Sequence, residues 1–249
     1  MKIALLGYGK MGKVLEQEAI QRGHTIDLKI TSQNADLLEK GALKGMDLAI
    51  EFSNPQTVVN NIYHCFDAGV PVVVGTTGWL KDWNQVTEDA KCRSQALFYA
   101  SNFSLGVNLF FQLNIVLAKM MNEFPEYAVS MTEIHHRQKK DSPSGTALSL
   151  AEGILENLSR KKGWINTLDG VHHTQSADLS NEQNPLDIQS LREDPVPGIH
   201  EIRYTSEEDE IVIKHSAKNR RGFALGAIFA GEWIQGKSGI FTMKDLIGY

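Results

Sequence analysis

Cysteine is nearly absent: the chain has two, Cys65 and Cys92, each inside a segment of helical pattern and neither in a CxxC or similar spacing. That excludes a disulfide framework and a thiolate metal or redox motif, and both read as reduced structural thiols. Long apolar runs are missing as well. None approaches the roughly 18 residues that a membrane span needs, and glycines break the opening "MKIALLGYGKMGK" before a signal-peptide core could form. The expectation is a soluble, cytoplasmic protein with no membrane partner. Nor is there an excess of positive charge. Lysine and arginine number 25 against 30 aspartates and glutamates, a net charge of -5, so the chain as a whole gives no support for a nucleic-acid partner. No internal repeat, low-complexity tract or flexible linker interrupts it.

What is present suffices for packed cores. At 249 residues and 42% hydrophobic, the chain can form one large domain or two small ones. "KIALL" has the length of a strand, and Met11, Val14, Leu15 and Ala19 then recur at helical spacing up to Gly23. "TIDLKI" returns to a strand pattern. Between the first strand and the helix, Gly7, Gly9 and Gly12 of "GYGKMG" have the G-x-G-x-x-G spacing. Gly7 can make the tight turn, Gly9 lets backbone approach a pyrophosphate, and Gly12 lets helix and strand pack closely. A dinucleotide site is the reading, since the motif follows a strand and opens a helix. The carboxylate expected near the end of the second strand is missing: Asp27 lies inside "TIDLKI", and Lys29, Thr31 and Ser32 stand near its end. Hydroxyls and a cation tolerate a ribose 2′-phosphate, so NADH and NADPH both stay open.

Alternation continues through "MDLAIEF", "NPQTVVNNIYHCFDAG", "VPVVVG", "LKDWNQVTEDAKC" and "ALFYA", read as strand, helix, strand, helix and strand. Strand ends deliver the loops "GTTGW" and "SNFSLGVN", where ligands sit in an open parallel sheet. After Asn108 the pattern changes. An apolar helix, the strand "AVSMTEIHH", a helix from Thr146, and the alternating pair "GIHEIRYTS" and "DEIVIKHSA" follow. Residues 159–196 read as a long polar loop plus the strand "LDIQSLR", with His172 and His173 at the surface. The last thirty residues hold a helix of small residues suited to close packing on the first domain. The expected fold class is α/β: a Rossmann-type parallel-sheet cofactor domain, residues 1–105 and 216–249, with an inserted α+β domain, residues 106–215.

The stretch "EIHHRQKKDSPSGTAL", residues 133–148, crowds cations and proton carriers before a helix. Ser142 fits an N-cap, Pro143 the first helical position, and Gly145 and Thr146 the first turn, whose N–H groups form an anion site. His135 and His136 are adjacent on a strand and so point to opposite faces; histidine suits proton transfer near neutrality. A metal is a competing use, but no carboxylate or cysteine completes a familiar ligand spacing, and no metal is expected.

This stretch resembles the signature E-x-H-H-x-x-K-x-D-x-P-S-G-T-A of the 4-hydroxy-tetrahydrodipicolinate reductase (dihydrodipicolinate reductase) family of lysine and diaminopimelate biosynthesis. "GYGKMG", "GTTGW", "SNFSLGVN" and "RRGFALGA" are similar to further family motifs in the same order, so the likeness spans nearly the whole chain. It implies an NAD(P)H-dependent reduction of a small cyclic dicarboxylate, with hydride going to ring C4. His135 and Lys139 match the proton-handling positions. His136, Gly145, Thr146 and Arg220 match substrate positions. Gly7, Tyr8, Gly9, Lys10, Met11 and Gly12 match the pyrophosphate loop, Gly75, Thr76 and Thr77 the nicotinamide-side loop, and Ala100, Ser101, Asn102 and Phe103 a further cofactor contact. The resemblance also implies a homotetramer built through the second-domain sheets. Two departures bear on cofactor preference: the glycine loop is one residue shorter than the usual G-x-x-G-x-M-G, and the acidic residue is missing. Rival readings are another two-domain nicotinamide oxidoreductase and a non-catalytic NAD(P)H sensor.

Overall fold

Short runs of β-branched residues alternating with amphipathic helices are laid out, in a computed structural model, over residues 1–173, 184–219 and 221–248. The chain divides into two units, Met1–Leu105 with Arg220–Tyr249, and Gly106–Asn219. The first begins with β1 (Lys2–Leu6), α1 (Lys10–Gln21), β2 (Thr25–Ile30), the short α2 (Asp36–Glu39), β3 (Leu48–Glu51), α3 (Val58–Ala68), β4 (Val72–Val74), α4 (Trp83–Cys92) and β5 (Ala96–Tyr99). The second unit holds α5 (Leu105–Met121), whose first residue belongs to the first, then β6 (Ala128–His135), α6 (Gly145–Leu155), β7 (Trp164–Leu168), β8 (Val171–His173), β9 (Leu186–Arg192), β10 (Gly198–Thr205) and β11 (Glu210–Ala217). The return is α7 (Arg221–Trp233), β12 (Gly239–Phe241) and α8 (Met243–Ile247).

In the first unit the sheet runs β12-β5-β4-β3-β1-β2, with every pairing parallel. A parallel sheet needs cover on both faces, and the alternation in β1 supplies it. Ile3 and Leu5 join Leu15 and Ala19 of α1 and Ala227 and Ile228 of α7 in one core. Ala4 and Leu6 join Val58 and Ile62 of α3 and Val86 of α4 in the other. The small residues of α7 have a packing reason: a Cβ at Gly226 would stand 1.7 Å from the carbonyl oxygen of Phe103. Arg221 clamps α7 to α1 through a two-pronged bond to Glu18 at 2.6 and 3.0 Å. β1 sits between β2 and β3, where the strand order reverses, and a ligand crevice opens at the carboxyl ends of such strands.

The second sheet is mixed, in the order β11-β10-β6-β9-β7-β8. β10 runs antiparallel to both β6 and β11, whereas β9 is parallel to β6 and β7. Along β6 every second residue is buried, and that face changes character along its length: Val129 and Met131 are apolar, Glu133 and His135 are not. Val129 and Met131 pack with Leu150 and Ile154 of α6, with Ile188 and with Ile202. Each such side chain contributes about 1.5–3 kcal/mol by leaving water. The polar end is thereby anchored on a rigid apolar one.

Two expectations change. The polar stretch after α6 contains two further strands, β7 and β8, because "WINTL" is rich in strand-favouring residues and finds a partner in β9. Helix α6 is capped by Ser144 and not by Ser142. The Ser144 hydroxyl accepts the Ala147 N–H at 3.1 Å, while the Ser142 hydroxyl is taken by the Asn166 amide at 2.9 Å. Among the described residues, no helix is long and apolar enough to cross a membrane.

Candidate active site

Gly7 ends β1 with φ +98°, in the left-handed region, and a Cβ there would lie 2.2 Å from the carbonyl oxygen of Phe52, just past β3. Only glycine fits this turn. A Cβ at Gly12 would meet the Gly7 carbonyl oxygen at 2.7 Å, whereas at Gly9 it would meet nothing within 4 Å. So two glycines close the turn and the middle one faces open space, which is what a pyrophosphate approaching backbone requires. The first turn of α1 carries no acidic residue to neutralise the helix N-terminus. The residues fit a dinucleotide.

Met11, Phe52, Gly75, Ser101, Phe103 and Phe223 line a cleft of about 210 Å³ in this unit. The structure thus brings the glycine loop together with the two loops read from strand ends. Within them Thr76 and Ala100 are buried and Thr77 is exposed. Thr76 is a brace, its hydroxyl accepting the Ser53 N–H at 2.8 Å. Asn102 Oδ1 accepts the Ser104 N–H at 2.9 Å. Lys10 is exposed, and the Tyr8 hydroxyl donates to Glu16. Lys29, read from sequence as an available cation, is engaged: its Nζ is 2.5 Å from Glu16 and 4.7 Å from the centre of the Tyr8 ring. Phe52 closes "MDLAIEF" and Phe223 lies within "RRGFALGA", but neither was given a role there, and Glu16 stands outside the motifs.

In the second unit the start of α6 leaves two donors over. The Ser144 N–H goes to both carboxylate oxygens of Glu133 at 3.1 Å, and the Ala147 N–H goes to the Ser144 hydroxyl. Gly145 and Thr146, the first and second helical residues, have no acceptor within the helix. These are two of the four substrate positions that the resemblance implies. A Cβ at Gly145 would meet nothing within 4 Å, so the approach is open.

His135, 8% exposed, is the last residue of β6, and its Nδ1 lies 3.4 Å from Glu133 Oε2. His136 is half-buried just beyond the strand. Lys139 Nζ donates to both oxygens of Asp141 at 2.8 Å, and its backbone N–H closes a turn onto the His136 carbonyl. Four contributors were missed from the sequence. Glu133 belongs to the motif but had been given no role; Ser190 and Arg192 come from β9, and His200 from β10. Ser190 and His200 stand directly opposite Glu133 in the sheet register. Only strand pairing puts them there. An inward-facing histidine in the alternation of "GIHEIRYTS" was the one available signal. Arg220 lies outside the described residues.

Burial favours a neutral Glu133, but the neighbouring His135 ring and hydrogen bonds from Ser144 and Ser190 overcome it and hold the carboxyl well below the ordinary glutamate range. Burial pushes His200 the other way, towards the neutral ring, and neighbouring His135 adds to the push. Glu133, His135 and His200 bring potential metal-ligand atoms within 4.8 Å of one another, a grouping of β6 with β10 that the adjacent His135 and His136 did not suggest. Glu133 and His200 are already engaged by Ser190 and Ser144, at 2.8 and 3.1 Å.

A parallel sheet with a glycine cradle at its switch point, and a second unit ending in histidine, lysine and an open helix start, define a two-domain dinucleotide-dependent oxidoreductase. The chain belongs to the dihydrodipicolinate reductase family, matching its N-terminal part over residues 1–103 and its C-terminal part over residues 106–247. The 4-hydroxy-tetrahydrodipicolinate reductase of Christiangramia forsetii is 47% identical over 249 residues, 99% of this chain and 98% of that one. The reductase of that name from Acinetobacter baylyi is 29% identical over 270 residues, 100% and 96% of the two chains. A dipicolinate-bound dihydrodipicolinate reductase from Paenisporosarcina sp. TG-14 shares the fold, with TM-score 0.74 at 21% identity over 97% of each chain. An amine dehydrogenase from Mycobacterium smegmatis does so at TM-score 0.57 and 11% identity, over 96% of this chain and 94% of that one. Architecture alone therefore does not select the substrate.

Proposed function

We infer that the chain catalyses the NAD(P)H-dependent reduction of 4-hydroxy-tetrahydrodipicolinate to tetrahydrodipicolinate, a step of lysine and diaminopimelate biosynthesis. The observation that carries this is the 47% identity, along the whole chain, to a reductase of that name. The geometry of the second unit supports it: the two first-turn donors left over in α6 are those of Gly145 and Thr146. When bound, the reduced nicotinamide supplies hydride to ring C4.

The chain's own residues do the rest. Gly7, Gly9 and Gly12, with Tyr8, Lys10 and Met11, hold the pyrophosphate, while Gly75 to Thr77 and Ala100 to Phe103 frame the nicotinamide side. The Gly145 and Thr146 N–H groups, His136 and Lys139 take ring carboxylate, as donors fixed in advance of the charge they meet. Loss of water from the 4-hydroxy substrate leaves a ring double bond; hydride saturates C4 and a proton from His135 or Lys139 saturates C3. A cytoplasmic homotetramer fits the same reading. Leu109, Leu113, Val116 and Met120 form an exposed apolar stripe on α5, and Ile211 and Val212 are exposed on the edge strand β11. Sedimentation velocity would reveal a smaller species if that assembly is wrong.

The test of function is NAD(P)H oxidation at 340 nm, with substrate made in situ from pyruvate and aspartate semialdehyde by the preceding synthase, run with each cofactor. Rapid substrate-dependent oxidation is expected, and the two rates rank the cofactors. Cofactor binding without oxidation would move the sensor and other-substrate readings ahead.

A further inference from the structure

Glu133 makes more polar contacts than capping α6 requires. Directly opposite it in the register stand His200 on β10 and Ser190 on β9, and His135 follows two residues on along the same face of β6. Its oxygens lie 2.8 Å from Ser190 Oγ, 3.1 Å from Ser144 N, 3.4 Å from His135 Nδ1, 3.6 Å from Arg192 Nη1 and 3.8 Å from His200 Nε2. Two imidazoles, 5.1 Å apart and edge to face, thus share one carboxylate. Beyond them, Lys139 and Asp141 stand on the turn after β6, and His215 on β11 lies close enough to act on His200.

The network treats the two rings differently. Ser144 Oγ accepts from Ala147 and lies 3.1 Å from His200 Nε2, so its proton is available to that nitrogen. His200 therefore has a partner in the helix cap. His135 Nδ1 is buried and makes no well-formed hydrogen bond, and Glu133 is the carboxylate within ion-pair reach of it. A bare nitrogen lone pair aimed at a carboxylate would be repelled, and a buried polar atom without a partner is costly. The repulsion turns to attraction when Nδ1 carries a proton, which then faces Glu133 Oε2 at 3.4 Å. On its other side Nε2 stands beside Gly198, where a Cβ would come within 3.1 Å of it and crowd that nitrogen.

We propose that Glu133 is a positioning residue: it fixes the Nδ1–H tautomer of His135, so that Nε2, beside Gly198, is the nitrogen that gives the proton to ring C3. Resting on the assignment of His135 to proton transfer, the inference balances simply. The doubly protonated ring breaks its Nε2–H bond as the C3–H bond forms, the electron pair of the reduced ring double bond takes up the proton, and the neutral ring is left with Nδ1–H facing Glu133.

The experiment is long-range ¹H–¹⁵N correlation on protein labelled at the histidine ring nitrogens, with His135→Gln locating the His135 signals. In the wild-type protein above the ring's titration, Nδ1 is expected to show the shift of a protonated nitrogen and Nε2 that of a bare one. In Glu133→Gln the amide can donate to Nδ1, and the pattern should invert. Turnover should fall at least about tenfold, and up to roughly 10⁴-fold where a wrong tautomer disables a histidine. KM for the dicarboxylate should move less than about threefold, and Glu133→Asp should recover part of the turnover. A bare Nδ1 in the wild type overturns the proposal without any variant. An unchanged tautomer in Glu133→Gln overturns it too, and leaves Glu133 a helix-capping residue. Wild-type turnover in His135→Gln overturns instead the assignment on which the proposal rests.

Discussion

Each unit buries one carboxylate at a strand end, and the two are treated in opposite ways. Glu51 closes β3 in the first unit and is 0% exposed; Glu133 lies near the end of β6 in the second and is 1% exposed. Among the described residues Glu51 meets neutral donors, the Ser53 hydroxyl and the Asn61 amide among them, and its Oε2 has no hydrogen-bond partner. Burial pushes its carboxyl up. Glu133 meets a backbone N–H, a hydroxyl, two imidazoles and a guanidinium, and its carboxyl is held down against the same burial. Depth does not decide the charge of a buried acid. The donors and cations around it do.

The largest expected effect is on stability. Glu133→Ala would strand the Ser144 N–H and leave the Arg192 charge without its carboxylate in a buried place, at a cost of about 3–5 kcal/mol, while the Ser190 hydroxyl keeps Asn166 Oδ1 at 2.8 Å. Glu51→Gln keeps the shape of the side chain and removes a charge that burial disfavours, and should cost less than about 1 kcal/mol at neutral pH. Urea unfolding of both variants checks this. Equal losses would break the contrast between the two sites.

Next in size is the pH dependence, where the signs separate. Glu51 titrates in the folded chain above its ordinary value of 4.5. Between those two values the folded state holds a proton that the unfolded state has lost, so this contribution is complete below 4.5 and fades as pH rises through the folded value. Glu133 titrates below 4.5 when folded, so its contribution is complete above 4.5 and fades as pH falls through its folded value. Glu51→Gln should therefore gain on the wild type as pH rises from 4.5, and Glu133→Gln should lose least to it in acid. Unfolding curves between pH 3 and 8 would show the two trends crossing; parallel curves would break the comparison.

The same contrast explains what the sequence made legible. The glycine cradle depends on residues within one strand–turn–helix, so its spacing announces it, as does the proximity of His135, Lys139, Gly145 and Thr146 in one stretch. Glu133 was in plain view, yet its role depends on Ser190 and His200, 57 and 67 positions away, and on a register that neighbouring residues do not specify. Ser142 reads as the cap by residue type, and Ser144 suits the position equally by that measure. The choice between them was made by Asn166 and Glu133, on other strands. Strand β7 escaped notice because it is short and mostly half-buried, so its residues show no clear alternation, and β8 because it is three residues long.

Asp141 offers the smallest effect and sharpens the contrast from the exposed side. Its carboxylate is 60% exposed and holds Lys139 Nζ at 2.8 Å. Burial of the group works against ionisation, but the Lys139 ammonium prevails and lowers the carboxyl from its ordinary range. An ion pair this open to water contributes about 0–1 kcal/mol. Asp141→Asn should leave urea unfolding nearly unchanged and alter kcat/KM less than about threefold, because Lys139 keeps its turn through the His136 carbonyl. Lys139→Ala should lose far more if the ammonium holds ring carboxylate, and the loss should fall on KM if binding is its main task. If Asp141→Asn instead lost as much as Lys139→Ala, the exposed carboxylate would be aiming the lysine as Glu133 is argued to aim His135. The division between a buried acid that organises the site and an exposed one that merely borders it would then have to be redrawn.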